Sequence, residues 1–463
     1  MDEKPETGLT WKFPKVFWVA NTIELFERAA FYGMFIFVSH YFVQEVGFSD
    51  VTSKWITGSF GCLLYFMPTF QGMLADKIGF RSALLLAFSL LFAGYGLLGA
   101  IPEKWAAVTA LTLVMLGGAI VKPVISGTAA MCSDEHNRSR AMSLFYMAVN
   151  IGSFTGKSVV DPIRFQLDEM NLGISGLQAI NLYAAAMALV ALVLVFFAYR
   201  NYERTESKRT LDEVLSGLIT VCCNLRFLSL IIIVGGFWAI QVQLYATMPQ
   251  YLIRVVGNFT APGWIANVNP LVVVILVVPI TYLVRKLSPV ASIGIGLMII
   301  PLSALSVALA PQLGTDRIMI LGLFSLHPLE LMLIIGIAFQ GIAECFLSPR
   351  FLEYASKQAP PGEVGLYMGY SHLTSAFSWG FGFVISGYLL DRWCPAPDVV
   401  AAMPAEAAAH AYDHAHYIWY FFVGVGVLAF LALIAFKIIT DRIDARLADN
   451  ARKADDGGQA DHV

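Results

Sequence analysis

Twelve long apolar stretches, separated by mostly short polar loops, constrain this chain more than any other feature of its sequence. A helix of about 20 apolar residues crosses the hydrocarbon layer of a membrane, and a helix satisfies its own backbone hydrogen bonds there. The chain is 57% hydrophobic and 14% charged, whereas ordinary soluble domains carry about 25% charged residues. We therefore predict an all-α membrane protein with segments 1 to 12 at 16–43, 54–76, 82–100, 105–132, 139–169, 175–199, 227–252, 262–284, 288–311, 328–356, 364–391 and 415–437.

The basic residues predict how these segments are oriented. If the N-terminus is cytosolic, the five internal loops hold 13 lysines and arginines and the six external loops hold 6. Because cytoplasmic loops carry the excess of basic residues, both termini are expected in the cytoplasm. The expected location is the bacterial inner membrane. The net charge of −3 gives no nucleic-acid signature.

One long internal connection divides the segments six and six. Thr210 and Glu213 have the spacing of a capping box, and an apolar stripe from Leu211 to Ile219 follows at helical spacing. We predict an N-terminal six-helix bundle over 1–199, a cytosolic connector with an amphipathic helix over 200–226, a C-terminal six-helix bundle over 227–437 and a cytosolic tail over 438–463.

Segment 1 carries charge where a lipid-facing helix would carry none. Glu24, Glu27 and Arg28 lie three or four residues apart, so they project from one side of a helix. Arg28 would lie about 18 Å into the membrane, where an unpaired charge costs roughly 3 kcal/mol or more. Two interpretations are open: a structural ion pair between helices, or a polar cavity in a transporter of protons or charged solutes.

The loop after segment 2 carries a recognisable motif. The sequence from Gly72 to Arg81, GMLADKIGFR, resembles the signature loop of the major facilitator superfamily. The resemblance implies two pseudo-symmetric six-helix bundles that rock around a central site. It also implies that Asp76 and Arg81 belong to the inner gate.

The first half also resembles a narrower family, the proton-dependent oligopeptide transporters. Glu24, Glu27, Arg28, Tyr32 and Gly33 match that family's first motif, and FYMAVNIGS at 145–153 matches another. Val121-Lys122-Pro123 and Tyr65 resemble the family's motifs in segments 4 and 2.

The second half shows weaker matches. Trp238, Asn269 with Pro270, and Glu344 resemble family positions in segments 7, 8 and 10. Three features depart from the pattern. The family glutamate of segment 7 is Gln241, an arginine of segment 1 is Phe35, and 200–226 is too short for the two extra helices of many bacterial members.

Depth estimates place one shared cavity between the halves. Arg28 and Lys122 would form a positive wall in the first half, and Glu344 a negative spot in the second, which suits an amphoteric solute. Aromatic residues, among them Trp379, would line the walls. The predicted substrate-binding residues are Arg28, Tyr32, Tyr65, Lys122, Asn150, Trp238, Gln241, Asn269, Glu344 and Ser375.

Three further polar residues lie within segments. Lys157 is expected to extend toward the outer membrane face, and His40 is expected at the interface. His372, near Ser375, is a weaker candidate for the cavity. The histidines of the outer loop 393–414 are expected to be solvated rather than to bind a metal.

Glu24, Glu27 and Arg28 are the candidates for proton coupling. Protonation of one acid would free Arg28 or Lys122 to hold a substrate carboxylate, and the sequence leaves open which acid acts. No cofactor is expected beyond the proton as the coupling ion.

The predicted function is proton-coupled import of di- and tripeptides or related amphoteric solutes by alternating access. One alternative keeps the fold but carries a siderophore, drug or other carboxylate-bearing metabolite, with export possible. A solute-sensing transceptor is a more distant alternative. No catalytic or metal-binding constellation appears, so an enzyme is not expected. The expected partners are a small-molecule substrate, protons and membrane lipid, without nucleic acid or an obligatory protein partner.

Overall fold

The computed structural model describes residues 13–133, 138–170, 173–200, 212, 216–217, 219–220, 223–320, 322, 324–358, 367 and 370–460. A helix, or a set of consecutive helical pieces, lies at each of the twelve predicted segments within this part of the chain. The segment numbers are kept for these helices. The predicted connector helix falls mostly outside the described residues.

The six segments of the first half are defined as follows. Segment 1 comprises Lys15–Phe35 and Val38–Gln44, segment 2 comprises Asp50–Phe66 and Pro68–Ile78, and segments 3 to 6 are Phe80–Ala100, Lys104–Met131, Arg138–Met170 and Gly176–Phe197.

The second half contains more broken helices. Segment 7 comprises Leu225–Gln241, Gln243–Ala246 and Met248–Val256, and segment 8 comprises Pro262–Ala266 and Val268–Leu283. Segment 9 is Pro289–Ala308, segment 10 is Pro328–Gln358, the described helix of segment 11 is Leu373–Trp393, and segment 12 is Tyr417–Ala460. Between segments 9 and 10, the chain forms a 3-10 turn at Ala310–Leu313 and a short antiparallel ribbon of Ile318–Ile320 and Phe324–Leu326. The outer loop before segment 12 holds the short helices Pro397–Ala401 and Ala405–Ala409.

Local sequence sets several helix starts and breaks. The side chains of Ser49, Ser175 and Ser288 each accept a hydrogen bond from a backbone N–H in the first turn of the helix that follows. Such caps satisfy donors that a helix leaves unpaired. Segment 2 breaks immediately before Pro68, because proline cannot donate the backbone hydrogen bond that would continue the helix.

Nine helical segments among the described residues are long and apolar enough to cross a membrane. Segments 1, 2 and 5 are not among these nine. Segments 1 and 5 carry buried charges, including Glu24, Glu27, Arg28, Lys157 and Asp161. Segment 2 also buries two charged residues, Asp50 and Lys54, so each of these three less apolar segments places charge inside the protein.

Each half packs mainly on itself. Segment 1 lies against segments 5 and 6, and segment 3 lies against segments 4 and 6. In the second half, segment 9 contacts segments 10 and 12, and segment 7 contacts segments 11 and 12. The halves meet where segment 2 packs on segment 11 and where segment 5 packs on segment 8.

Two glycines one helical turn apart hold segment 5 against segment 1. A Cβ atom on Gly152 would lie 2.5 Å from the carbonyl oxygen of Leu25, and one on Gly156 would collide with the carbonyl of Ala29. Small residues at this spacing let membrane helices approach closely. This contact fixes the face of segment 1 that carries Arg28, because Arg28 Cβ also lies 2.8 Å from the Cβ position of Gly152.

We predict that Gly156→Val lowers the free energy of unfolding by about 2 kcal/mol, since overpacking a tight contact costs about 1–3 kcal/mol. The measurement is the thermal unfolding midpoint of the purified protein in detergent. Gly96→Val is the matched control, because a Cβ atom there meets nothing within 4 Å. An equal loss of stability in both variants would contradict the packing argument.

Candidate functional site

The charged cluster of segment 1 forms as the spacing predicts. Arg28 Nε lies 3.1 Å from Glu24 Oε1 and pairs still more closely with Glu27. All three side chains are buried. The arginine also lies over the rings of Phe31 and Tyr32, with its Cζ atom 5.6 and 5.9 Å from their centroids. One cation thus holds two carboxylates at the level of the predicted cavity.

Lys122 places a second cation on the first half, against an aromatic ring. Its Nζ atom lies 3.8 Å from the centroid of the Tyr65 ring, which is within the range of a cation–π contact. Both side chains are half-buried. Lys122 is therefore held by Tyr65 and keeps donors available for a ligand.

Glu344 sits on the opposite half and is fixed by two amides. Gln241 Nε2 donates to Glu344 Oε2 at 3.0 Å, and Asn269 Nδ2 donates to the same oxygen at 3.3 Å. Segments 7, 8 and 10 thus meet at one carboxylate. The three predicted residues are brought together, and Gln241 acts as a donor where a glutamate could act only when protonated.

Aromatic rings span the gap between the two charged sides. The Tyr65 centroid lies 5.1 Å from that of Trp379, and Tyr245 lies 6.1 Å from both Trp379 and Tyr32. Tyr32 and Tyr65 belong to the first half, and Tyr245 and Trp379 to the second. These four rings form a continuous wall from Lys122 to Tyr32, beside Arg28.

Tyr245 was not among the predicted site residues. A signal for it was present: Tyr245 follows Trp238 by seven residues and Gln241 by four, so helical periodicity places the three on one face of segment 7.

Phe35 seals the outer side of this aromatic wall. It is fully buried, and its ring centroid lies 4.9 Å from that of Trp379 and 5.7 Å from that of Tyr245. Phe31, Phe60 and Phe383 also pack against it. The position where the resembling family carries an arginine is therefore an apolar contact between the halves.

Other predicted site residues have more local roles. Asn150 is half-buried and donates to the backbone oxygen of Tyr146 at 2.8 Å. Trp238 is half-buried and packs edge-on against Phe237. Ser375 is buried in the first turn of segment 11. His372 is exposed and close enough to Lys122 for an electrostatic interaction.

The expectation for Lys157 was wrong. Lys157 does not extend to the outer face: it is 1% exposed and donates to the backbone oxygen of Ala266 at 3.3 Å. Its helix faces the other half rather than lipid at this height, so a buried partner replaces solvent. His40 is also buried, beside Phe37, and its height at the membrane interface stays a prediction.

Of the two predicted gate residues, Asp76 and Arg81, the structure describes the side-chain contacts of Arg81. Arg81 Nη2 donates to the backbone oxygen of Phe196 at 2.7 Å, which ties segment 3 to segment 6 within the first half. The side chain of Asp76 lies outside the described set.

A buried polar latch between the halves was not predicted. Arg254 of segment 7 forms a two-pronged ion pair with Asp50 of segment 2, with N–O distances of 2.7 and 2.8 Å. Gln250 donates to Asp50 at 3.1 Å and accepts a hydrogen bond from the buried Lys54. Both charged side chains of the pair are almost fully buried, so the latch closes the ends of these segments against water.

A second set of contacts closes the same end. Arg164 of segment 5 donates to the backbone oxygens of Asn258 and Thr260. The Trp264 ring nitrogen donates to the backbone oxygen of Ser158 at 2.9 Å, and its backbone N–H donates to Asp161 at 3.0 Å. By the predicted orientation, this end is external.

Comparison with known proteins identifies the family to which the chain belongs. The model of the major facilitator superfamily matches residues 23–324 and 313–457. The chain belongs to this superfamily of transporters and is an integral, multi-pass membrane protein. The predicted fold class is thereby confirmed, and so is the expectation of a transporter rather than an enzyme.

Within the superfamily, the chain is similar to peptide permeases. It is 32% identical over 148 residues to dipeptide and tripeptide permease A of Enterobacter sp. (strain 638), which is 31% of this chain and 30% of that protein. It is 31% identical over 167 residues to dipeptide and tripeptide permease B of Xenorhabdus bovienii, covering 35% and 34%. The alignments thus span about a third of these relatives.

Solved structures match over nearly the whole chain. One from a study of substrate recognition in proton-dependent oligopeptide transporters has a TM-score of 0.72 at 19% identity and covers 92% of this chain and 98% of its own. A transporter of the same family in complex with 5-aminolevulinic acid has a TM-score of 0.71 at 17% identity, covering 95% and 98%. The predicted resemblance to this family is confirmed.

We predict that Arg28→Met lowers the free energy of unfolding by about 3 kcal/mol or more, because removal of one partner leaves buried carboxylates uncompensated. Thermal or denaturant unfolding in detergent measures this change. Arg226→Met is the matched control: Arg226 pairs with Asp444 at 2.6 Å, but the two side chains are 32% and 56% exposed, and pairs near the surface contribute about 1 kcal/mol or less. Similar losses in the two variants would contradict the assignment of a buried cluster.

Proposed function

We propose that this chain is a proton-coupled symporter that imports di- and tripeptides or related small amphoteric solutes. The observation that carries the proposal is the placement of cationic side chains on one half and a carboxylate on the other, with a set of aromatic rings between them. Arg28 and Lys122 lie on the first half, and Glu344 lies on the second. The wall of Tyr32, Tyr65, Tyr245 and Trp379 connects them.

The donor and acceptor inventory supports an amphoteric cargo. Lys122 offers N–H donors to a carboxylate, and Glu344 has an oxygen, Oε1, that accepts no hydrogen bond from the described residues, whereas Oε2 accepts two. In a site of low dielectric, charge-assisted hydrogen bonds of this kind are strong and orient the ligand. A solute with an amine at one end and a carboxylate at the other fits both sides at once.

Proton coupling is assigned to Glu24 and Glu27. Both share the Nε atom of Arg28, and Glu24 Oε2 is buried without a hydrogen-bond partner among the described residues. A proton on one acid would weaken its hold on Arg28, which then becomes available to the substrate carboxylate. Gln241 cannot titrate, so the coupling proposed here does not involve segment 7.

Alternating access is supported by the latch between Asp50 and Arg254. A carrier that rocks two bundles around a central site needs one end shut while the other exchanges substrate. We place the closed end outside, the binding site open to the cytoplasm in this state, both termini in the cytoplasm and the protein in the bacterial inner membrane.

A second cargo class is favoured by one observation. Phe35 and its ring contacts occupy the place of a family arginine, and Gln241 replaces a glutamate. Each change removes one charged group, Phe35 on the first half and Gln241 on the second. A bulkier carboxylate-bearing solute such as a siderophore, drug or metabolite, imported or exported, is the alternative.

Uptake of labelled dialanine into proteoliposomes under an inward proton gradient tests the proposal. We expect uptake that rises with the gradient and falls by roughly thirtyfold in Lys122→Ala and Glu344→Ala, since loss of one partner of a buried charge contact costs about 2 kcal/mol or more. Lys286→Ala, at an exposed lysine between segments 8 and 9, is the control. Folded wild-type protein that takes up no peptide, but binds other carboxylates, would support the alternative cargo.

The coupling assignment is tested separately with Glu24→Gln and Glu27→Gln. At least one should lose gradient-driven uptake while counterflow exchange of peptide persists, because exchange needs no net proton movement. Comparison of the two rates in the same vesicles is the measurement. Unchanged gradient-driven uptake in both variants would refute the role of these acids.

A further inference from the structure

A small cavity lies inside the second half, between segments 7, 9, 10 and 12. The side chains that line it are buried and include Leu244, Met248, Ser303, Ile337, Gln340 and Trp419. The volume open to the centre of a water molecule is about 10 Å³, and one buried water requires roughly 10–15 Å³ by this measure. The cavity therefore has the size of one water molecule and is too small for an organic ligand.

Two of the lining residues carry a buried polar atom that has no hydrogen-bond partner among the described residues. Gln340 Oε1 is an acceptor and Trp419 Nε1 is a donor, and each residue is 3% exposed. A buried polar group that stays unpaired loses its hydration without compensation. Because one atom accepts and the other donates, both are satisfied by a molecule that donates and accepts, as water does.

Ser303 supplies a third polar group to the same cavity. Its backbone oxygen accepts a hydrogen bond from Ser306 Oγ at 2.8 Å, whereas its own hydroxyl can rotate to donate or to accept. A buried water molecule typically makes about three hydrogen bonds. The polar groups that line the cavity therefore match the needs of one water.

Tight helix contacts around the cavity prevent it from collapsing. A Cβ atom on Gly336 of segment 10 would lie 2.6 Å from the backbone oxygen of Ser303 in segment 9. A Cβ atom on Gly426 of segment 12 would lie 2.8 Å from Cγ of Pro301, also in segment 9. Segments 10 and 12 already approach segment 9 as closely as glycine allows, so the helices cannot move together to close the cavity.

The cavity also borders the helices that carry the proposed substrate site. Leu244 and Met248 belong to the broken part of segment 7, on either side of Thr247. Gln340 precedes Glu344 by four residues on segment 10, which is about one helical turn. A contact that holds Gln340 therefore also holds the part of segment 10 that carries Glu344.

We propose that one water molecule binds in this cavity, where it accepts a hydrogen bond from Trp419 Nε1 and donates one to Gln340 Oε1. The water joins segment 12 to segment 10 beside the break of segment 7. A water-mediated contact is nearly as favourable as a direct hydrogen bond, and it can change length without separating packed side chains. It acts as a flexible joint, so segment 7 can change its bend while segments 10 and 12 stay linked.

Tyr251 is the competing partner for the Trp419 N–H. The two rings meet edge-on with their centroids 5.5 Å apart, and the Tyr251 hydroxyl is close enough to Trp419 to interact with it. The geometry nevertheless leaves Trp419 Nε1 without a hydrogen bond. A test of the water site therefore needs a variant that lacks this hydroxyl.

Nuclear magnetic resonance of the full-length protein in detergent, labelled with nitrogen-15 tryptophan, tests the proposal. The Trp419 indole resonance is identified by its loss in Trp419→Phe. We expect its proton to show dipolar cross-relaxation with water protons, although Trp419 is buried. This cross-peak should disappear in Gln340→Leu and persist in Tyr251→Phe. Ile337→Leu, which alters the lining but neither polar atom, is the matched control and should keep it.

A wild-type protein whose Trp419 indole proton shows no water cross-peak would overturn the proposal, and this result does not depend on how Gln340→Leu folds. Loss of the cross-peak in Tyr251→Phe, with retention in Gln340→Leu, would overturn it as well.

Unfolding midpoints give a second, independent measurement. With a bound water, Gln340→Leu and Trp419→Phe should each lower the midpoint, and the double variant should lose less than the sum, because both remove the same link. In a dry cavity, Gln340→Leu would instead raise the midpoint, since it removes an unpaired acceptor. That rise, or additive losses, would contradict the proposal. Neither measurement involves transport, so wild-type protein that moves no peptide would refute the proposed function alone.

Discussion

The structure depends on how the charged side chains of segment 1 are stabilised inside a membrane protein. Glu24, Glu27 and Arg28 stabilise one another only if their face of segment 1 is turned away from the bilayer. Gly152 and Gly156 make this possible, because they let the backbone of segment 5 lie directly against segment 1. The close packing of these glycines therefore determines where the charged side chains lie. The charged face of segment 1 in turn has to point into the protein.

The contact between the halves shows two kinds of interaction at different heights. At the outer end, buried ion pairs and hydrogen bonds such as Asp50 with Arg254 hold the halves together. Nearer the middle, rings dominate, and Phe35 and Trp379 pack closely. Polar contacts can be exchanged for water when a gate opens, whereas ring contacts can slide over one another. This arrangement suits a seam that must open and close repeatedly.

Much of the fold was predictable because the signal is local. Hydropathy located all twelve segments to within a few residues at most ends, since membrane helices must be long and apolar. The partnership of Arg28 with both acids followed from helical spacing alone. The latch was not predictable, because Asp50 and Arg254 lie 204 residues apart and each looked like an ordinary charge at a segment end. The expectation for Lys157 failed for a related reason: a lysine in a membrane helix usually extends its ammonium to solvent, unless the opposite half covers it.

The central claim is that one cavity presents a positive and a negative side to the same ligand. Equilibrium binding of three peptides to the purified protein tests it most directly: dialanine, its N-acetyl form without the amine charge, and its C-terminal amide without the carboxylate. We expect each blocked form to bind at least about tenfold more weakly than dialanine, since each loses a charge-assisted contact. Equal affinity for all three, with each displacing the others, would contradict it.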